Sequence, residues 1–207
     1  MSRLHARSGP SFVADGVFAA WTVPPLPPAR HVERPRLRDA VDAAVPRGVV
    51  LVVAPAGFGK TVLLADFART AGFPVAWLSV VAADADTVTF VEALVEAVRR
   101  VVPDFGRRAL RLAQGGGGRG LTLAAAELGE ELGVHGSPVG LVLDDFHALD
   151  PEAGGGAETV RFVDALIERA PPNLVVAFGS RSLPALRHAR LAAAERLHAV
   201  AADDLRF

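Results

Sequence analysis

The chain of 207 residues contains no cysteine. It can therefore form no disulfide, thiolate nucleophile or cysteine-ligated zinc site, and this composition suits the cytoplasm. Its formal net charge of −1 provides no broad basic field, so direct DNA binding by this segment is not expected. No apolar run approaches about 18 residues, so no membrane span is expected. The apolar stretch after the basic N-terminus is broken by Asp15 and Gly16, which argues against a signal peptide.

Aromatic residues are also scarce, at 6%, so valine and leucine must build most of the core, as in a buried parallel sheet. The length suffices for one α/β domain with an N-terminal extension. Residues 1–30 are predicted to be that extension, ending in an arm stiffened by the four prolines of residues 21–28. Residues 31–207 are predicted to form the domain.

The most informative segment is Ala54-Pro-Ala-Gly-Phe-Gly-Lys-Thr61, directly after the apolar run 49–53. It matches a phosphate-binding loop except that Ala54 replaces the first glycine. Its glycines let successive N–H groups point into one concavity at a helix start. Lys60 would reach the β- and γ-phosphates of a nucleotide, and the Thr61 hydroxyl would ligate Mg²⁺. The nucleotide-binding residues predicted here are Ala56, Gly57, Phe58, Gly59, Lys60, Thr61 and Val62. The alternative is a glycine-rich turn with a solvated lysine.

Two adjacent carboxylates, Asp144 and Asp145, follow the apolar strand predicted over 139–143. Ligands collect at the carboxyl ends of strands in open α/β sheets, so this is interpreted as a Walker B motif. Asp144 would hold Mg²⁺ opposite Thr61, and Asp145 would orient or deprotonate the attacking water. Adjacent residues of a strand point to opposite faces, so distinct roles are expected. The alternative is a polar strand end that caps the next turn.

Another predicted strand, over 174–178, leads to Ser180 and Arg181. Because a guanidinium is always charged and grips phosphate oxygens in a fork, Arg181 is a candidate sensor of the γ-phosphate. The alternatives are a solvated loop arginine or an ion pair with Asp145. His147 is interpreted mainly as a hydrogen-bonded or packing residue beside the site, with contact to the catalytic water as the second possibility. The histidines lack zinc-ligand spacing.

Apolar periodicity predicts strands that alternate with helices, and hence a three-layer α/β sandwich with a mainly parallel sheet. The glycine run 115–118 is predicted to be a flexible link. The predicted strands cover residues 49–53, 73–80, 139–143, 174–178 and 197–200. The predicted helices cover residues 36–44, the segment after the phosphate loop, 87–101, 121–132 and 158–170.

Taken together, several segments resemble the ATPase domain of MalT-like, LuxR-type large ATP-binding transcriptional regulators, within the STAND class of signalling NTPases. The resemblance covers residues 21–207. The segments that carry it are Val23-Pro-Pro, His31-Val-Glu-Arg-Pro-Arg-Leu37, the loop 54–61, Val75-Ala-Trp-Leu-Ser79, Asp84-Ala-Asp86 with Phe90, Leu143-Asp-Asp-Phe-His147, Ser180-Arg-Ser-Leu-Pro184 and Asp204-Leu-Arg-Phe207.

The resemblance implies a P-loop NTPase fold with five strands in the order 5-1-4-3-2, and ATP, ADP and Mg²⁺ as ligands. It places Val32, Glu33 and Arg34 near the adenine, makes Arg181 the sensor arginine, and accounts for Ala54 as the first loop residue. The chain departs from it at 192–194, three alanines where the family often has arginines. The family also continues beyond this segment into winged-helix, helical-repeat and DNA-binding parts. Without the winged helix that closes the pocket, weak hydrolysis is expected.

The sequence is compatible with three functions. The first is an ATP/ADP-binding signalling switch with slow hydrolysis, its partners being nucleotide and either further copies or regulatory domains in trans. The second is a stand-alone, AAA-like P-loop ATPase, whose turnover would fall in the usual enzyme range above about 1 s⁻¹. The third is an interaction domain that binds no nucleotide, and which nucleotide would therefore not stabilise.

Overall fold

Strands and helices alternate along the computed structural model, which describes residues 20–26, 35–45, 48–115, 117–150 and 156–205. The strands are β1 (Val49–Val53), β2 (Val75–Ser79), β3 (Val139–Asp144), β4 (Leu174–Ser180) and β5 (Leu197–Val200). The helices are α1 (Pro35–Ala44), α2 (Lys60–Thr70), α3 (Thr87–Arg99), α4 (Arg107–Gly115), α5 (Gly117–His135), α6 (Ala157–Glu168) and α7 (His188–Ala193). Short 3₁₀ turns cover Ala82–Ala85 and Phe146–Leu149.

The five strands form one sheet in the order β2-β3-β4-β1-β5, and every neighbouring pair is parallel. Counted from the opposite edge, this is the predicted order 5-1-4-3-2. Because the strands are parallel, their carboxyl ends all lie on the same side of the sheet, which we call its carboxyl end. The insertion of β4 between β1 and β3 brings the ends of these three strands side by side, as in a P-loop NTPase. The predicted fold class is confirmed.

Helices cover both faces of the sheet, since the side chains of each strand alternate between them. Val50 and Val52 of β1 pack in one apolar cluster with α1 and α2. Val49 and Leu51 point the other way, into a larger cluster with residues of α3 to α7. The result is a three-layer sandwich whose buried sheet consists largely of valine and leucine, as the composition predicted.

Residues 115, 117 and 118 belong to helices, so the prediction of a flexible link over 115–118 is wrong for the residues described there. Helix α4, which the sequence did not predict, ends at Gly115, and α5 already begins at Gly117. The two helices pack together closely: a Cβ atom on Gly120 would lie 2.3 Å from the backbone oxygen of Leu112. Here glycine allows a tight helical hairpin, because it removes the side chain that would hold the two backbones apart.

Replacing Gly120 with alanine should therefore destabilise the domain by about 1–3 kcal/mol, the usual cost of overpacking. Gly118→Ala is the matched control. The nearest atom to its added Cβ would be a Glu158 carboxylate oxygen at 3.8 Å. Alanine there should be neutral or stabilising by up to about 1 kcal/mol, because glycine is a poor helix former. Urea unfolding of both variants measures the difference, and equal midpoints would contradict the close contact.

The described part of the N-terminal arm packs beside the edge strand β2. The Ser79 N–H donates to the Trp21 carbonyl at 2.8 Å, and the Arg100 Nε donates to the hydroxyl of the buried Thr22 at 2.7 Å. The rest of the predicted extension lies outside the described residues, and the domain boundary near residue 30 stays a prediction. Within the described ranges, no helix combines the length and apolarity needed to cross a bilayer.

Candidate functional site

The loop between β1 and α2 has the backbone conformation that its glycines predict. Gly57 and Gly59 adopt φ values of 84° and 83°, in the left-handed region that favours glycine. Helix α2 starts at Lys60, directly after Gly59, so the unpaired N–H groups of its first turn lie at the loop. Ala56 and Gly57 are exposed to solvent. The arrangement is an accessible concavity of backbone donors with the positive end of a helix dipole behind it.

Lys60 lies under this loop and is only 6% exposed. Its Nζ donates a hydrogen bond to the Pro55 carbonyl at 3.0 Å. Burial is the main cause that lowers the pKa of Lys60, and Arg181 lowers it further, whereas the charges of Asp144 and Asp145 raise it. The structure thus brings the predicted loop lysine close to both carboxylates and to the predicted sensor arginine.

Asp144 ends β3 as a buried carboxylate, 2% exposed. Burial raises the pKa of Asp144, and a hydrogen bond from the Thr61 hydroxyl is the largest opposing effect. Its Oδ1 is buried and accepts no hydrogen bond from the described residues. Hydroxyl and carboxylate oxygens are the ligands that Mg²⁺ prefers, so Thr61 and Asp144 suit that ion. The carboxylate oxygen without a donor is the one such an ion would satisfy.

Gly179 of β4 makes room for this carboxylate, and sequence reasoning missed it. A Cβ atom on Gly179 would lie 2.2 Å from Asp144 Oδ1 and 2.9 Å from the Leu64 side chain. The only signal in the sequence was a glycine inside an apolar strand, which often marks a close approach of another group. Identifying that group required the register of β3 on β4, in which Leu143 pairs with Phe178.

Asp145 differs from its neighbour in both conformation and exposure. Its φ of 54° lies in the left-handed region, which bends the chain directly after β3. The Asp145 side chain is 47% exposed, so it faces solvent where Asp144 is enclosed. The two carboxylates therefore differ in environment, one enclosed by protein and one open to solvent, which suits them to different tasks.

Three further polar residues lie at or just after the carboxyl ends of β4 and β3: Ser180, Arg181 and His147. Ser180 is buried, and its Oγ has no hydrogen-bond partner among the described residues. Arg181 is exposed, and within the described ranges it forms no ion pair with Asp145. His147 Nδ1 lies 3.8 Å from Asp145 Oδ1, too far for a hydrogen bond. Burial is the main cause that lowers the pKa of His147, which favours the neutral form of its imidazole.

The structure thus brings five predicted residues together at the carboxyl ends of the strands: Lys60, Thr61, Asp144, Asp145 and Arg181. They are close enough that Asp144, Asp145 and Arg181 shift the pKa of Lys60, and Thr61, Asp145 and Lys60 shift that of Asp144. Val62, in the first turn of α2, is partly exposed beside them. Val32 and Arg34 lie outside the described residues.

No protein-family model matches the chain. In sequence it is similar to the serine/threonine-protein kinase PknK of Mycobacterium tuberculosis and of Mycobacterium bovis, with 27% identity over 187 residues in each case. That similarity covers 89% of this chain, which spans only 16% of the length of these relatives.

Among solved structures, the chain is similar to a Walker-type ATPase of Pyrococcus abyssi, with 16% identity and a TM-score of 0.46 over 77% of this chain and 47% of that one. It is also similar to a signal transduction ATPase with numerous domains (STAND) from Pyrococcus horikoshii that carries a tetratricopeptide repeat sensor. The identity there is 18% and the TM-score 0.42, over 86% of this chain and 24% of the other. The fold class follows from the chain's own sheet order and loop.

Proposed function

We propose that this chain binds ATP and ADP with Mg²⁺ and acts as the nucleotide-dependent switch of a STAND-class, LuxR-type regulator. The observation that carries the proposal is that the Thr61 hydroxyl, in the first turn of α2, lies close enough to the buried Asp144 at the end of β3 to lower the pKa of that carboxyl. This contact joins the phosphate-binding loop to the carboxylate that a P-loop NTPase uses at its metal. The adjacent Lys60 supplies the cation for the β- and γ-phosphates.

Each residue has a specific task in this proposal. The backbone N–H groups of residues 56–62 surround the phosphates, Lys60 contacts their outer oxygens, and Thr61 and Asp144 hold Mg²⁺. When bound, the ion neutralises charge on the phosphate oxygens. Asp145 orients the attacking water, and Arg181 responds to the γ-phosphate. Val32 and Arg34 are proposed to lie near the adenine on the strength of the family resemblance alone.

Slow hydrolysis follows from the exposure of the groups that would handle water and the γ-phosphate. Asp145 is 47% exposed and Arg181 also faces solvent. Enclosing such a site from water strengthens every electrostatic interaction in it, and the described residues provide no enclosure. We therefore propose that another copy of the chain, or regulatory domains in trans, complete the pocket, and that nucleotide state biases an inactive and an active form.

The chain offers a direct test, because Lys60 is its only lysine. An amine-acylating reagent can modify only Lys60 and the α-amino group of the purified chain. If bound Mg-ATP or Mg-ADP shields Lys60 completely, its acylation should slow about tenfold at ten times Kd, since only about one-tenth of the protein is then free. Mass spectrometry of the peptides measures both rates, and the α-amino group is the internal control.

Calorimetry with ATP, ADP and GTP, each with and without Mg²⁺, should accompany this experiment. A measurable heat of binding with ATP and ADP, together with ATP hydrolysis far below about 1 s⁻¹, would agree with a switch. Hydrolysis faster than that would indicate a working ATPase. If neither heat nor protection of Lys60 were observed with any nucleotide, the proposal would fail.

A further inference from the structure

A cavity of about 390 Å³ lies between α6 and α7. Its wall includes Arg196, whose carbonyl accepts a hydrogen bond from the N–H of Val49, the first residue of β1. The phosphate-binding loop follows the last residue of β1. The cavity therefore lies near the amino end of β1, whereas the nucleotide site lies at its carboxyl end. None of the residues assigned to the nucleotide site line the cavity.

Positive charge dominates the wall of this cavity. It contains four arginines, Arg169, Arg187, Arg190 and Arg196, and two acidic residues, Asp164 and Glu168. Four cations and two anions leave a formal excess of two positive charges. The whole chain carries −1, so this excess is a local feature. The remaining lining includes the buried apolar side chains of Ile167 and Leu191.

The contacts of these arginines leave many of their donors available. Arg187 and Arg190 share one oxygen of Glu168, at 3.1 and 2.5 Å, and Arg196 donates to the Ile167 carbonyl at 3.1 Å. Each of these contacts uses a single nitrogen of a guanidinium, which carries five N–H donors. Asp164, 8% exposed, accepts from the backbone N–H of Arg187 at 3.0 Å and so fixes the start of α7 against α6.

We propose that this cavity binds a small polyanion, a molecule that carries phosphate groups or several carboxylates. Guanidinium groups pair with both kinds of oxyanion through two parallel hydrogen bonds. The volume lies within the usual range for small-molecule sites, about 300–1,000 Å³. Because Ile167 and Leu191 line the same cavity as the guanidinium groups, it suits an organic ligand that carries both charged groups and apolar carbon.

Binding should be measured by calorimetry on the whole chain with Lys60→Ala and without Mg²⁺, so that the nucleotide loop does not compete for the probe. The probes are citrate, which has three carboxylates, and inorganic phosphate. At least one should bind saturably, and which one binds tells the two ligand sources apart. The additional changes Arg169→Gln and Arg190→Gln should weaken binding at least tenfold.

Arg108→Gln on α4 is the matched control, because the Arg108 and Arg190 side chains are equally exposed, at 69%, and each pairs with a glutamate. It should leave binding unchanged. Should the double variant fail to fold, Arg169→Gln alone should still weaken binding measurably. The proposal is overturned if neither probe binds, or if Arg108→Gln weakens binding as much as the cavity variants do. Because the cavity variants leave the phosphate-binding loop unchanged, a loss of binding that they cause is distinguishable from a failure of nucleotide binding.

Discussion

Replacement of Lys60 by alanine is expected to weaken ATP and ADP binding by about 1.5–3 kcal/mol, the range for a hydrogen bond to a charged group. That corresponds to a Kd increased about 10- to 150-fold. The physical reason is the position of Lys60, a buried cation under the loop whose Nζ donates, among the described residues, a hydrogen bond to the Pro55 carbonyl alone, at 3.0 Å. Isothermal titration calorimetry of the wild type and the variant measures the change.

The folded state should not suffer from the same substitution. Burial lowers the pKa of Lys60, which means that its surroundings disfavour the charged form. Removing that charge should leave the melting temperature of the nucleotide-free protein about the same. Arg108→Ala, which removes an exposed cation on α4, should alter neither quantity. Undiminished ATP affinity in Lys60→Ala would remove Lys60 from the site.

The parts of this site that the sequence predicted well are local in the chain. The strand β1, the glycines at 57 and 59 and the start of α2 follow one another within about twenty residues, so apolar periodicity and turn chemistry were sufficient. The buried position of Asp144 at the end of β3 followed from the apolar run before it. Strand order was a different matter, because it depended on family resemblance and on no property of composition or spacing.

The features that were missed depend on contacts between distant segments. The glycine run was predicted to be flexible because glycine has a low helix propensity, but the close packing of α4 on α5 overrides that preference. The role of Gly179 was not predictable, since it arises from the placement of β4 next to β3, which brings Gly179 against Asp144. The cavity between α6 and α7 has the same origin, because its arginines come from three separate segments.

Asp144→Asn is expected to have opposite effects on the free and the nucleotide-bound protein. Burial raises the pKa of Asp144 above its ordinary 3.8, so the folded state binds its proton more tightly than the unfolded state does. The stability that this group contributes is complete below pH 3.8 and is lost as the pH rises through the folded-state pKa. Asparagine carries no such charge. Without ligand, the variant should therefore be the more stable protein at pH 7, by about 1.4 kcal/mol for each unit of the pKa difference.

With nucleotide the order should reverse. Mg²⁺ should tighten ATP binding to the wild type but not to Asp144→Asn, which keeps an acceptor for the Thr61 hydroxyl but loses the anionic oxygen for the metal. At about 100 times Kd, Mg-ATP should stabilise the wild type by about 2.7 kcal/mol, and the variant by much less. Melting temperatures from pH 4 to 8, with and without Mg-ATP, measure both effects.

Asp84→Asn separates burial from metal binding. Asp84 is also buried, at 3% exposed, with its pKa raised by burial, but its carboxylate accepts from the Val81 N–H at 2.8 Å, beside β2 and outside the site. Replacing it should reproduce the pH-dependent gain in stability while the Mg²⁺ dependence of ATP binding stays that of the wild type. If Asp144→Asn also retained that dependence, the metal would have to be held by other residues, since only the Asp144 carboxylate both contacts Thr61 and has a buried oxygen without a partner among the described residues.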